Sequence, residues 1–535
     1  MRTIPLRIWL LSALSGVLQA LPFPLEGAVP LWRRAFCWIC LVPLLLAIRD
    51  IERYGKRYGK GARWFHAAAI GYLCGIVWYF ANCYWIEGTM QLYGGLPVPA
   101  AWGVLLLFSL YLGLYHALFC GLLWAIQRRR NWCTALVVAP LVWVAVELAR
   151  TQITGFPWDL LGYTQIDHLI LNRLAPLTGV MGLSLVVALV NVLWLLPFAC
   201  ELCGTPRKLA IGSLALATTL LALSANWWTP PPDTRSQTAV LLQDNLNIGG
   251  AAQGDSPTDD SRAAMLSSFV ALSESPAMSS GVPERSGYPT VILWPEAPTD
   301  FFDSDPQFRS VLNSLAINAH STVIAEDVTP AATDSDGTRH LYNSARLTTP
   351  AGRDGGRYDK MHLVPFGEYT PYKPLFFFAG KILDDLPFVP GLSRNALVSE
   401  GHRYGVFICY ESIFGDEVRR LTQDGAQVLV NLSDDGWYGD SSAPWEHLDM
   451  ARMRAIENNR WVLRSTNTGV TAVIDPHGRV VAQLPRHVRS SLAAGFAFRD
   501  GLTPYTRFGD WVGWLCALMT ALALGASFFT RRPVH

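Results

Sequence analysis

Apolar residues come in long, nearly unbroken blocks over the first 228 positions and again near the C-terminus. Between them they come in short runs of a different kind. The blocks fall near 7–22, 35–48, 64–86, 99–126, 132–149, 174–199, 209–228 and 510–530. Several reach the roughly 20 residues that a helix needs to cross a bilayer; those at 7–22 and 35–48 are shorter. Arg2 and Arg7 give the first block some likeness to a signal peptide. It has no clear small-x-small cleavage site and further blocks follow, so it reads as a retained span. About eight spans are expected.

From 229 to 509 the pattern changes. The stretch opens on NWWTPPPD, a proline-rich exit from an apolar block. Short β-branched runs at 238–243, 290–295, 321–328, 405–409, 426–433, 461–467 and 470–476 read as strands. Amphipathic stretches such as 305–318 and 447–459 read as helices between them, which predicts a layered α/β domain. The stretch 249–288 is rich in Gly, Ser, Pro and Asp and reads partly as loop. The expected organisation is a membrane domain of seven helices over 1–228, an α/β domain over 229–509, and a closing span with its tail over 510–535.

Charge sets an orientation. The loop 49–63 holds six Lys/Arg, 127–131 holds three, and 207–208 and 531–532 hold two each, whereas 87–98 holds none. Basic loops face the cytoplasm, so both termini are expected there and 229–509 outside it. Arg33, Arg34, Arg150 and Arg173 fall on the other side. Composition agrees with a membrane protein. The chain is 51% hydrophobic with 16% charged residues, against about 25% charged in ordinary soluble domains. Its twenty tryptophans suit membrane interfaces. A net charge of +1 offers no electrostatic footprint for nucleic acid, and no nucleic-acid partner is expected.

Three segments carry candidate chemistry. Nine of the ten cysteines lie in or beside apolar blocks; only Cys409 sits within 229–509, at the end of the run HRYGVFIC. A lone thiol there cannot pair within its domain. A buried Cys is ordinarily core packing, but a thiol at a strand end followed by Tyr410 and Glu411 suits an activated nucleophile. The run ILWPEAPT (292–299) presents Glu296 beside Trp294 and Pro295, partly desolvated and suited to proton transfer. The segment YDKMHLVPFGEYTPY (358–372) fixes Lys360 and Glu368 in a Pro- and Gly-punctuated loop, and a lysine there can stabilise an oxyanion. A carboxylate base, an ammonium and a thiol make a complete set for covalent acyl transfer, with Lys360 expected to lower the thiol pKa. No HExxH, GxSxG or GxxxxGK pattern occurs. His362 and His447 lack a second ligand at metal spacing and read as structural, so neither metal nor cofactor is expected.

Glu, Lys and Cys in this order and these contexts resemble the nitrilase (carbon–nitrogen hydrolase) superfamily. The resemblance implies a four-layer α-β-β-α sandwich for 229–509. It narrows further: GFPWDLLGY (155–163), LVPFGEY (363–369), CYES (409–412), NLSDDGWYGDSSAP (431–444) and RAIENNRWVLRSTNTGVTAVIDPHG (454–478) resemble the bacterial apolipoprotein N-acyltransferases. By matching position, Glu296, Lys360 and Cys409 would be the catalytic triad. Glu368, Tyr410, Glu411 and Asn343 (in LYNSA, 341–345) would support the site. The implied reaction moves an acyl chain from a membrane phospholipid, through a Cys409 thioester, to the N-terminal amine of a diacylated apolipoprotein. The implied location is the bacterial cytoplasmic membrane. The chain departs from the family pattern in places. The family's Gln-x-Asn segment is followed by a Lys-Trp pair, but 243–257 has none, and no Trp occurs between Trp228 and Trp294. Ser433-Asp434-Asp435 and Glu446-His447 add acidic character where the family more often has amides, so altered pocket detail is expected. A membrane-tethered amidase or nitrilase would use the same triad. A transporter or scaffold would not need it, and the spans lack paired charges marking an ion path, with Glu87 and Glu147 as weak exceptions.

Overall fold

The computed structural model describes residues 4–57, 64–199, 204–246, 259–278, 288–296, 301–333, 339–365, 367–369 and 388–529. Most of the 243–257 stretch, part of the basic loop 49–63 and the pair 531–532 lie outside the described residues. The chain divides into two compact units. One comprises Met1–Thr229, Asp440–Glu446 and Asp510–His535; the other comprises Pro230–Gly439 and His447–Gly509.

Among the described residues of the first unit, seven helices are long and apolar enough to cross a membrane: Leu31–Tyr54, Trp64–Asn82, Val98–Arg129, Trp132–Thr154, Leu171–Leu193, Pro206–Leu223 and Trp511–Phe528. Leu6–Ala20 is a shorter apolar helix. Each expected apolar block therefore meets a helix. The block at 35–48 is broken, because Ala35–Trp38 is a 3₁₀ turn and the long helix resumes at Val42. Backbone groups freed within an apolar layer need partners. Asn191 supplies them: its Oδ1 accepts from Leu41 N–H (2.8 Å), and its Nδ2 donates to Cys37 O (2.8 Å).

The helices Trp64–Asn82 and Val98–Arg129 approach through small residues. A Cβ on Gly71 would lie 2.1 Å from the His116 carbonyl oxygen, and one on Gly75 would lie 2.8 Å from Gly113 Cα. Gly71 and Gly75 form a small-xxx-small step, which lets backbones touch where lipid offers no hydrophobic drive for association. Gly71→Ala is expected to destabilise the protein by about 1–3 kcal/mol through overpacking, lowering the unfolding temperature in detergent. Gly88 has open space around its missing Cβ, so Gly88→Ala is the control. Equal melting of the two variants would refute this packing account.

The segment around 155–163 is tied into the same unit. Glu147 Oε1 accepts from Trp143 Nε1 (3.0 Å) and Leu161 N–H (2.8 Å). Arg150 donates to Tyr79 OH (2.9 Å) with its guanidinium near the Trp78 and Tyr79 rings. Glu446 accepts from Trp158 Nε1 at 2.6 Å. These bonds give each of the charged groups local partners.

The second unit holds two sheets. The first has strands β1 (Gln237–Gln243), β2 (Ala277–Met278), β3 (Val291–Trp294), β4 (Thr322–Thr333), β5 (Arg339–Thr348), β6 (Asp354–Asp359) and β13 (Ser490–Phe496), in the order β2-β13-β1-β3-β4-β5-β6. The second has β7 (Leu397–Ser399), β8 (His402–Ile408), β9 (Val428–Ser433), β10 (Val462–Thr466), β11 (Ala472–Ile474) and β12 (Val480–Gln483), in the order β12-β11-β10-β9-β8-β7. Central strands β1, β3 and β4 run parallel, as do β8, β9 and β10, and antiparallel strands flank both sets. β1 packs against β10, so the sheets face one another. The helices Asp259–Glu274 and Pro306–Asn318 cover the first sheet through Leu266, Phe269, Phe308 and Leu312; Gly415–Gln423 packs on β8. The layers run helix, sheet, sheet, helix, as expected.

β5 and β6 were not legible as strands. RHLYNSARLT alternates poorly because its polar members Asn343, Ser344 and Arg346 are buried. Arg346 is balanced by Asp303, Asp327 and Asp354.

Candidate active site

Parallel strands open their loops at their carboxyl ends, where side chains from several strands can converge. Glu296 lies just past β3 and forms a parallel bridge with Thr466 at the end of β10. Cys409 follows β8, Ser433 ends β9, and Lys360 follows β6. The sequence spreads these residues over more than a hundred positions; the two sheets collect them.

The buried Lys360 ammonium donates to Glu296 Oε1 (3.2 Å) and Glu368 Oε1 (2.9 Å). Asn343 Nδ2 donates to the same two oxygens, at 2.7 and 3.0 Å. The second oxygens are also held: Asp434 N–H donates to Glu296 Oε2 (3.0 Å), and Val364 N–H to Glu368 Oε2 (2.7 Å). The backbone of Lys360 is fixed at both ends, its N–H donating to Asn343 O and its C=O accepting from Gly391 N–H, both at 2.8 Å. Burial alone would lower the lysine pKa, but Glu296, Glu368 and Cys409 overcome it and hold it well above the ordinary value. Lys360 is thus a fixed cation between two carboxylates, with Asn343 as a shared brace.

Cys409 is buried and sits in the left-handed backbone region, φ 46°. A non-glycine residue there is strained by about 1–3 kcal/mol and persists only where its surroundings hold it. The strand-to-turn corner throws the side chain out of the strand path at the start of a 3₁₀ turn over Cys409–Ile413. Glu411 ties this turn to the lysine loop. Its Oε2 accepts from Ile408 N–H (2.7 Å); its Oε1 accepts from Tyr358 OH (2.8 Å), Met361 N–H (2.8 Å) and His362 N–H (3.1 Å). Tyr410 packs its ring against His362 and Phe414.

Lys360 lowers the Cys409 pKa, as expected, but it is outweighed. Burial first, then the Glu296 carboxylate, push the Cys409 pKa well above that of a free thiol, and Lys360 only partly offsets them. A raised pKa favours the thiol over the thiolate, so a nucleophilic role for Cys409 would require a base.

A further cluster was not assembled by sequence reasoning. Asp435 Oδ1 faces His447 Nδ1 at 2.8 Å, Arg464 Nη2 donates to Asp435 Oδ2 at 2.6 Å, and His447 Nε2 lies 3.0 Å from the Cys409 carbonyl oxygen. All three side chains are fully buried. Burial would raise the Asp435 carboxyl, but Arg464 and His447 overcome it and hold it below the usual carboxylate range. Asp434 behaves oppositely, pushed up to about 8 chiefly by burial. The signal was present in the acidic run at 433–435 and in His447, but nothing local says that residues 12 and 29 positions apart meet. Among the described residues no group of His, Cys, Asp and Glu is arranged to hold a metal ion.

Comparison with known proteins follows the same division of the chain. Residues 15–193 match the family described as apolipoprotein N-acyltransferase N-terminal domain, and residues 287–494 match carbon-nitrogen hydrolase. An apolipoprotein N-acyltransferase of Geobacter metallireducens is 33% identical over 99% of this chain and 97% of its own length. One from Photobacterium profundum is 30% identical over 98% and 95%, and one from Nitrosomonas europaea is 34% identical over 83% and 85%. Among solved structures, an amidase from Nesterenkonia sp. aligns at 17% identity with a TM-score of 0.35, covering 52% of this chain and 94% of that one.

Proposed function

Since the chain belongs to the apolipoprotein N-acyltransferase family, we propose that it moves an acyl chain from a membrane phospholipid to the N-terminal amine of a diacylated apolipoprotein by a two-step reaction at Cys409. Glu296 takes the thiol proton as sulfur attacks the phospholipid ester carbonyl. Lys360 stabilises the oxyanion, and Glu296 returns the proton to the departing lysophospholipid oxygen. The thioester is then attacked by the α-amine of the acceptor. Glu296 removes a proton from nitrogen and passes it to the departing sulfur as the C–S bond breaks, leaving an amide and the free thiol. Ester to thioester to amide needs no external energy source.

The observation that carries this reading is the convergence of Glu296, Lys360, Glu368 and Asn343 in one hydrogen-bonded array beside a strained cysteine. The apolar helices fit substrates held by acyl chains, since withdrawing a chain from lipid costs about 0.8 kcal/mol per CH₂. We assign residues 1–228 and 510–535 to the cytoplasmic membrane, and 229–509 to its outer side, on the strength of the basic loops.

The test separates transfer from simple hydrolysis. Purified protein in phospholipid vesicles, supplied with a synthetic diacylated lipopeptide, is expected to yield N-acyl lipopeptide in excess of free fatty acid. Fatty acid released at the same rate with and without lipopeptide would replace the transferase reading with that of a hydrolase, because a transferase must keep water from its thioester.

A further inference from the structure

The Asp435–His447–Arg464 cluster takes no part in the chemistry so far described, yet one of its atoms touches the nucleophile's own backbone. His447 Nε2 lies 3.0 Å from the Cys409 carbonyl oxygen. A carbonyl is only an acceptor, so Nε2 carries the hydrogen. We propose that His447 is a positioning residue for an oxyanion donor: by holding the Cys409 carbonyl it fixes the Cys409–Tyr410 peptide plane, and so aims the Tyr410 N–H at the negative charge of the tetrahedral intermediate. The inference rests on the acyl-transfer reading above.

The geometry of a peptide gives the reason. Its six atoms are coplanar, and in the trans form C=O and N–H point in opposite directions. No peptide bond among the described residues is cis. To hold one end of the plane is therefore to aim the other. Donation into the carbonyl also polarises the unit and strengthens its N–H as a donor. The plane needs holding at this position because Cys409 has φ 46°, a conformation that an ordinary residue leaves when unrestrained.

The support behind His447 is rigid. Asp435 Oδ1 lies 2.8 Å from Nδ1 and accepts from Ser433 Oγ at 2.9 Å. Arg464 Nη2 lies 3.1 Å from Nδ1 and 2.6 Å from Asp435 Oδ2, and Arg464 Nη1 bonds Asn431 Oδ1 on β9. A Cβ on Gly469 would come within 2.1 Å of Asp435 Oδ2, so the chain leaves that space for the carboxylate. With no exposed surface at His447, Asp435 or Arg464, the ring cannot turn without breaking buried polar contacts.

The experiment compares two reactions of Cys409 in the full-length protein in phospholipid vesicles. Thioester formation from phospholipid passes through an oxyanion; alkylation by iodoacetamide displaces iodide from a saturated carbon and forms none. His447→Ala is expected to slow thioester formation by about 10²-fold, the lower range for loss of one oxyanion donor. Alkylation should stay within about twofold of wild type. His447→Gln, whose carboxamide can still donate, should recover thioester formation to within about tenfold of wild type. Thioester formation by His447→Ala at the wild-type rate would overturn the proposal. So would alkylation falling in step with acylation without rescue by glutamine, which would mean that His447 merely packs the turn. If wild type itself forms no thioester, the acyl-transfer reading fails, and this inference with it.

Discussion

Cys409→Ala is expected to abolish both acyl-enzyme and N-acylated product while leaving a folded, inserted protein. The substitution removes one sulfur atom. Alanine and cysteine bear the same Cβ, so the strain at φ 46° is unchanged. The lost contact is the hydrogen bond with Ser433, worth about 0.5–1.5 kcal/mol. No substitute nucleophile of the same kind is at hand, because Cys409 is the sole cysteine between 229 and 509. Loss of the nucleophile from a catalytic set that acts as a unit costs on the order of 10⁶ in kcat. Mass spectrometry of the intact protein after incubation with phospholipid vesicles should show the added acyl mass on wild type and none on the variant. Product formation by Cys409→Ala above about a thousandth of wild type would end the covalent mechanism.

The second large effect separates Glu296 from Lys360 by opposite signs. Glu296 raises the Cys409 pKa and Lys360 lowers it. Glu296→Gln keeps the shape, removes the base and relieves that upward push. Alkylation of Cys409 by iodoacetamide at pH 8 should therefore speed up, since more thiolate is present. Acylation from phospholipid should nevertheless fall by about 10²–10⁴, because no group takes the thiol proton and returns it to the leaving oxygen. Lys360→Met should do the reverse to the thiol. Its pKa rises further, alkylation at pH 8 slows, and both half-reactions lose about 10²–10³ with the oxyanion's cation. That variant also leaves Glu296 and Glu368 sharing a buried site without their counter-charge, a destabilisation of about 3–5 kcal/mol. Its folding must be checked alongside. Acylation by Glu296→Gln at the wild-type rate would remove Glu296 as the base. Parallel changes in alkylation for the two variants would contradict the electrostatic account.

Much of the molecule was legible along the chain. Apolar blocks of bilayer length need no partner to be recognised, since lipid imposes the same demand on each independently. The β-branched runs ending at Trp294 and at Cys409 likewise announce strands, and strand ends are where an α/β domain presents chemistry. The candidates Glu296 and Cys409 followed from those strand ends, and the candidate Lys360 from a Pro- and Gly-punctuated loop. The break after Trp38 was not legible, because it depends on an amide at Asn191, some 150 residues away. Nor was β5, whose buried polar residues erase the alternation that marks a strand, nor β6, whose DGGRYD is mostly exposed or half-buried and holds two glycines. The tertiary structure alone decided what those residues become. It made Glu411 a tie between the nucleophile turn and the lysine loop, and it set Asp435, His447 and Arg464 behind the Cys409 carbonyl. It also buried the thiol beside Glu296, which raises its pKa although Lys360 lowers it as expected. Periodicity and local composition report what each segment does against a uniform surrounding. Hydrogen-bond partners, strain and pKa depend on which segments come within a few ångströms of one another, and only the folded sheets determine that.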